Sequence, residues 1–316
     1  MFSDMKTTLR AANEFDPDHR FFLMLGDLVN QIGSSPGQIV NYTNAASEFN
    51  ITRPIAATQG NHDAYHNNGT LIYGEATVFN AFVTFPGNGW DQGVYEGPNR
   101  SKSYYFYYNN VLVIMLNSFA TTNDISRGSA PDHTAQADWL RNILERDKTE
   151  GKSKYRIVGT HVNAFGGYIY ERDFQPEIRA AFGRIFTDYD VDIVFSGHDH
   201  IYGRSNPIKI TGNNTATTEI SSIDFGDTSP GGIGIPGGTI YSTVGSTGPK
   251  FYALSTAMGN AATYIPQYFP IRYSGTTDLT PGMFVNVKVT GEKLIVTARR
   301  IGVTTTLDTY EIMVKR

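Results

Sequence analysis

The chain has 316 residues, 40% hydrophobic and 18% charged, a balance that fits one large globular domain or two small ones and excludes disordered and fibrous classes. A formal net charge of -4 with no block of Lys or Arg argues against a nucleic-acid polymer or an anionic membrane surface as partner. The absence of cysteine rules out disulfides, thiolate metal sites and Cys nucleophiles together, and the longest apolar run, Val111 to Leu116, falls far short of the roughly 20 residues of a membrane span.

In chain order, Met5, Leu9, Ala12 and Phe15 mark an amphipathic helix, and Met1 to Arg10 carry neither the basic nor the apolar segment of a signal peptide. A buried strand at Phe21 to Leu25 follows at once with no strand before it, so we expect an N-terminal truncation. Further apolar, β-rich runs lie at Pro54 to Thr58, Val111 to Leu116, Tyr155 to Val158, Val191 to Phe195 and Thr239 to Val244. Helical patterns at Ala135 to Arg146 and Phe174 to Tyr189 separate several of them, which is the alternation of an α/β fold. From Thr239 onward strands are joined by turns: Met283 to Val289, Lys293 to Arg300 and Thr306 to Val314 alternate apolar and polar residues, with a hairpin turn at Thr290, Gly291 and Glu292. We expect a single domain, 1–316, of mixed α/β class with a pair of mixed sheets covered by helices. The tyrosines between Tyr104 and Tyr108 read as edge-strand packing. The loops Asn88 to Ser103 and Asp227 to Gly238 read as lids or as decoration.

Chemistry gathers where strands end. Phe21 to Leu25 runs into Gly26-Asp27, Pro54 to Gln59 into Gly60-Asn61-His62-Asp63, Tyr155 to Thr160 into His161, and Val191 to Ser196 into Gly197-His198-Asp199-His200. In α/β sheets the carboxyl ends of strands converge on one edge, so residues distant in sequence can share a site. A preceding Gly lets the backbone turn sharply. Imidazoles, a carboxylate and an amide oxygen suit hard or borderline metal ions. Asp27 has two oxygens and can bridge two ions; Asn61, His161, His198 and His200 are neutral ligands that leave the cluster electropositive, fit to attract phosphate oxygens and to activate water as hydroxide for in-line attack. Each piece alone also has a plain structural reading, a turn for Gly-Asp or a helix cap for Asn-His. His19, His66 and His133 read as surface or loop residues, Asp188 and Asp192 as solvated positions, and Asp199 as a brace for its flanking histidines or a helix cap.

The strings Gly26-Asp27-Leu28-Val29, Gly60-Asn61-His62-Asp63, Val158-Gly159-Thr160-His161 and Gly197-His198-Asp199-His200 resemble the second to fifth motifs of calcineurin-like metallophosphoesterases, and Tyr202 and Arg204 resemble the purple-acid-phosphatase branch in particular. The resemblance implies a four-layer αββα sandwich and a dinuclear metal centre of iron, zinc or manganese. By position, Asp27 would bridge both ions, Asn61, His161 and His198 would hold one, and His200 would help hold the other. His62 would stand beside the substrate, donating to phosphate or protonating the leaving alkoxide, with Asp63 orienting it; Arg204 would contact phosphate or brace its loop. Two departures follow. The first motif, an Asp on an opening strand, is not supplied before Phe21, and Asn30 stands where purple acid phosphatases place the iron-ligating tyrosine.

The leading expectation is metal-dependent hydrolysis of a small phosphate ester, a monoester in preference to a diester. The alternatives are a truncated relative that binds metal or phosphate without turnover, and a surface-binding module built on Tyr, Asn, Thr and Gly-rich loops. Low Lys with abundant Tyr, Asn and Thr leans toward an extracellular or cell-surface location.

Overall fold

A computed structural model describes residues 2–30, 37–50, 53–64, 83–84, 86–89, 103–119, 133–171, 174–210, 223–225, 238–259, 261–273 and 282–314. They fall into two compact units, one formed by Arg20–Val162 and the other by Met1–His19 together with Asn163–Arg316. The expected loops Asn88 to Ser103 and Asp227 to Gly238, and His66, lie largely outside the described residues.

The chain opens with helix α1 (Phe2–Phe15), which belongs to the second unit. The first unit then carries β1 (Phe22–Met24), α2 (Gly37–Asn50), β2 (Ile55–Ala57), β3 (Tyr104–Tyr108), β4 (Val111–Met115), α3 (Thr134–Glu150) and β5 (Tyr155–Thr160). β1 and β2 pair in parallel, Phe22 against Ile55 and Met24 against Ala57, so their carboxyl ends emerge on the same side. β3 and β4 form an antiparallel hairpin closed at Asn109, whose φ of 52° is the left-handed conformation that asparagine tolerates best after glycine. β4 pairs in parallel with β5, and every residue of both strands is buried, as strands covered on two faces require. The hydroxyls of Thr58 and Tyr104 donate to the carbonyls of Leu116 and Ala57, at 2.7 and 2.9 Å, and tie β2 to the β3–β4 hairpin.

Helix α3 buries Leu140, Ile143 and Leu144 on one stripe and stops at Gly151, whose φ of 59° lets its N–H return to the Asp147 carbonyl. The last turn also buries the carboxylate of Asp147, which accepts from Arg156 Nε at 2.8 Å and from Ser153 Oγ at 2.7 Å. Both charged side chains are almost fully enclosed. Removing one partner of such a pair strands the other charge in the interior. Asp147→Ala is therefore expected to lower unfolding stability by about 3–5 kcal/mol, read from urea melts. Asp138→Ala, which breaks the exposed pair with Arg141 on the same helix, is expected to cost less than about 1 kcal/mol. Equal small losses would show that burial of the Asp147 pair has no energetic weight.

The second unit continues with α4 (Gln175–Ile178), a π-helical turn at Arg179–Gly183, α5 (Arg184–Asp188), β6 (Ile193–Ser196), β7 (Tyr202–Arg204), β8 (Ile208–Ile210), β9 (Ile223–Phe225), β10 (Ile240–Val244), α6 (Ala261–Tyr268), β11 (Ile271–Tyr273), β12 (Met283–Val289), β13 (Lys293–Arg300) and β14 (Thr306–Met313). β6 runs parallel to β10, and β7 runs antiparallel to β10 on one side and β11 on the other. β12, β13 and β14 form the expected meander, with the first turn closed by the Thr290 N–H on the Lys293 carbonyl. A cluster of Tyr202, Met283 and Ala298 is buried with Phe251, Ile271 and Tyr273 packed around it. The mixed α/β class expected from the alternation and the later meander is the class the structure has. Asp192 departs from expectation: it is 3% exposed rather than solvated, and its carbonyl accepts the Ile240 N–H where β10 begins. His133 is buried as well, packed with Gln136 at the start of α3 rather than lying on the surface.

Candidate metal centre

In the first unit three polar clusters leave the carboxyl ends of β1, β2 and β5, and they meet. Gly26 and Asp27 both adopt left-handed backbone, with φ of 87° and 52°, a double turn that aims the Asp27 carboxylate back across the end of β2. Its Oδ1 accepts the His62 backbone N–H at 2.9 Å, and its Oδ2 lies 3.4 Å from His161 Nε2. Asn61 Oδ1 lies 3.1 Å from the same His161 nitrogen. A carboxylate oxygen, an amide oxygen and an imidazole nitrogen thus point at one spot.

The approach depends on two glycines. A Cβ at Gly60 would overlap the Asp27 backbone nitrogen and carboxylate, and a Cβ at Gly26 would press on His161 Nδ1. The His161 ring is fixed from behind, its Nδ1 donating to the Leu25 carbonyl at 2.6 Å. That bond makes Nε2 the nitrogen directed at Asp27 and Asn61, the arrangement by which a second hydrogen bond orients a metal-ligating histidine.

Asp63 corrects an expectation. It was expected to orient the His62 ring, but its fully buried carboxylate accepts the backbone N–H groups of Gly60 at 2.8 Å and Val29 at 3.3 Å. His62 is instead held at Nδ1 by the Asn30 carbonyl, 2.6 Å away. Asp63 therefore cross-links the two loops that present Asp27 and Asn61, while a main-chain oxygen sets the direction of His62. No side-chain signal in the sequence marks such carbonyl anchors, because any residue can supply one.

The remaining histidines belong to the second unit, on the turn after β6. His198 is buried, and both His198 and His200 adopt left-handed backbone, with φ of 66° and 41°. His200 Nδ1 bonds to the Lys250 carbonyl at 2.7 Å, again directing Nε2 outward. Among the described residues the other non-glycine positions with positive φ, Asn109 and Asp190, sit in turns. Left-handed backbone at three expected ligands is strain of the kind that collects at functional sites. Asp199, between the two histidines in sequence, is buried, and its Oδ2 lies close to Gly166. Arg204, expected to contact phosphate or brace its loop, takes the second part: Nε donates to Asp308 at 2.6 Å, Tyr202 donates to the same carboxylate at 2.8 Å, and the guanidinium lies over the Tyr310 ring.

Electrostatics follow from this packing. Burial raises the Asp27 carboxyl, but the charge and hydrogen bond of His161, with His62 beyond, outweigh it and hold the group below the usual carboxylate range. Burial by itself lowers the His161 imidazolium, yet Asp27 and the Leu25 carbonyl raise it above its ordinary value. Asp63 is pushed up to about 7, by burial first and then by the neighbouring Asp27 charge. In the metal-free chain a proton on His161 occupies the position that suits a cation, and the donor set fits a metal ion.

The fold is of mixed α/β class, and oxygen and imidazole donors gathered in this way have the chemistry of a metal-ion site. The model of the calcineurin-like phosphoesterases matches residues 1–202, and the chain belongs to that family. Two curated relatives, both uncharacterized proteins of Mycobacterium tuberculosis, are each 25% identical over 162 residues, covering 50% of this chain and 29% of their own. The chain thus spans less than a third of the length of the curated relatives it matches. Among solved structures, a purple acid phosphatase from yellow lupin seeds shares the fold with a TM-score of 0.64 and 18% identity, over 98% of this chain and 49% of its own. A dimetal phosphatase from Danio rerio follows the same fold with a TM-score of 0.53 and 10% identity, over 99% of this chain and 88% of its own.

Two predictions rest on the geometry. Gly60→Ala is expected to displace Asp27 and weaken metal binding at least about tenfold, as loss of ligand orientation does elsewhere, in a titration of the metal-stripped chain; unchanged affinity would refute the close approach. The second concerns pH in the metal-free chain. The depressed Asp27 carboxyl adds stability present above about pH 4 and lost as pH falls through its lowered value. Asp63 works oppositely: its raised value favours the protonated fold, so stability drops as pH climbs from about 4 to about 7. His161 adds stability present below about pH 6.5 and lost as pH rises through its raised value. The melting temperature is therefore expected to decline from mildly acidic to alkaline pH, with Asp63→Asn flattening the lower part of the decline and His161→Gln the upper. A melting temperature that climbs over the same range contradicts the assignment.

Proposed function

We propose that this chain hydrolyses phosphate esters at a dinuclear metal centre, with monoesters preferred to diesters. The observation that carries the proposal is the convergence of Asp27, Asn61 and His161 Nε2 on one spot, with the His161 ring oriented from behind by the Leu25 carbonyl. In this reading Asp27 would bridge two ions, Asn61, His161 and His198 would hold one, and His200 would contribute to the other. Zinc, manganese and iron all suit oxygen and imidazole ligands, and Asn30 in place of a tyrosine gives no reason to expect the purple colour of a tyrosinate-bound ferric ion. Bound ions of this kind lower the pKa of coordinated water and offset the charge of phosphate oxygens, the two things that phosphoester cleavage needs.

The protein's own groups do the rest. His62 is held at Nδ1 by Asn30, so its Nε2 faces the substrate, and an imidazolium there hands a proton to the departing alkoxide. Asp63 keeps the Asp27 and Asn61 loops in register without touching the reacting atoms. Family membership over residues 1–202 supports metal-dependent phosphoester hydrolysis in general; the preference for monoesters extends it.

The test uses purified, chelator-treated protein reloaded with zinc, manganese or iron and assayed on p-nitrophenyl phosphate and on its bis-ester. Hydrolysis that favours the monoester and disappears in Asp27→Asn is expected. His62→Gln is expected to lower kcat by about 10²–10⁴, the range of a lost general acid, with a smaller effect on metal affinity. Metal binding without turnover under every loading condition would reduce the protein to a binder on a hydrolase fold.

A further inference from the structure

The segment that follows β10 runs along the turn that carries His200. The Lys250 carbonyl accepts from His200 Nδ1 at 2.7 Å, and the Tyr252 N–H donates to the His200 carbonyl at 3.1 Å. A carbonyl and the N–H two residues on, both directed at one neighbour, are the pattern of an extended strand edge, along which side chains alternate between two faces. The alternation shows in the packing. Phe251 lies against the buried cluster of Tyr202, Met283 and Ala298, whereas the Tyr252 ring lies against the His200 imidazole, with centroids 4.9 Å apart. All of these residues belong to the second unit.

Lys250 stands two residues before Tyr252, so it shares the face that meets His200 rather than the face that Phe251 buries. Its side chain is exposed, and the ion pairs formed among the described residues use other cations. The Lys250 main chain is fixed to the histidine while its flexible four-carbon stem can carry the ammonium through the space beside the imidazole. A lysine binds phosphate as a compact point charge rather than as a planar fork. The attraction of a point charge grows with the negative charge of the ligand.

We infer that the Lys250 ammonium contacts a non-bridging oxygen of a substrate phosphoryl group bound beside His200, and that it selects the dianion of a monoester over the monoanion of a diester. The inference rests on the hydrolase reading and names the residue behind its monoester preference. His62 and Lys250 then have separate tasks, the first toward the departing alkoxide and the second toward the charge of the phosphoryl oxygens. The selecting group is a side chain, whereas the bond that orients His200 is made by the main chain of the same residue. Substitution at position 250 therefore removes the charge and keeps the carbonyl that holds the histidine.

Calorimetry on the metal-loaded full chain compares phenylphosphonate as its dianion with the monomethyl ester, a monoanion, and kcat/KM is measured for p-nitrophenyl phosphate and its bis-ester. Lys250→Met is expected to weaken phenylphosphonate about fivefold more than it weakens the ester, the factor that one further unit charge adds at contact distance in water. The monoester-to-diester ratio of kcat/KM is expected to fall by a similar factor, carried mainly by KM. Lys250→Arg, which keeps the charge, is expected to retain both preferences. Added NaCl is expected to narrow the phosphonate preference of the unmodified chain and to leave that of Lys250→Met nearly level. A metal titration of chelator-treated Lys250→Met is expected to match the unmodified chain. Equal losses for the two phosphonates, no loss for either, or weakened metal binding in Lys250→Met overturns the inference and leaves metal-dependent hydrolysis standing. Failure of the unmodified metal-loaded chain to bind either phosphonate and to cleave either ester removes the hydrolase reading and the inference with it.

Discussion

A carboxylate and an imidazole brought to 3.4 Å at the ends of two strands, Asp27 and His161, are the constraint around which the first unit is arranged. Burial alone would discharge both groups; each stays charged because the other is there. The contact demands a left-handed Asp27, two glycines without room for a Cβ, and a main-chain carbonyl behind the histidine. Backbone strain and buried charge both oppose folding, and a multivalent cation placed among the same donors would relieve the electrostatic part of that cost more fully than a proton does. The arrangement is therefore unfavourable as pure scaffolding and favourable as a ligand set.

Around that pair the polar residues divide by what they touch. Asn61 faces His161, whereas Asp63, next but one in sequence, faces away and accepts backbone N–H groups from both neighbouring loops. Tyr202 and Arg204 follow the histidine motif closely in sequence, yet they converge on Asp308 of β14 and hold β7 to the meander. Proximity to a motif in the chain is thus a poor guide to sharing its site, because Tyr202 and Arg204, two apart on β7, fall on one face of the strand and that face meets Asp308.

Much of this was legible beforehand, for reasons that differ by element. β12 and β13 have the limits that their alternation predicts, since a one-residue slip would turn every apolar side chain outward. The ends of β1, β2 and β5 were readable because Gly followed by a polar residue after an apolar run marks a strand that turns into a site. The roles of Asp63 and Arg204 were not, because they depend on which acceptor or donor lies opposite, a matter of tertiary contacts. The π-helical turn at Arg179–Gly183 likewise interrupts a helix whose apolar pattern alone reads as continuous. His133 and Asp192, polar residues in loop-like contexts, are buried, and His133 Nδ1 meets the Gln136 amide there, a tertiary setting that sequence pattern does not report.

The most direct test of the account is the position of a bound metal. Crystals soaked with zinc or manganese, with anomalous difference maps recorded at the metal edge, are predicted to show a peak about 2.0–2.2 Å from Asp27 Oδ2, Asn61 Oδ1 and His161 Nε2 together. A peak at some other group of side chains, with those three atoms keeping their metal-free contacts, would contradict it.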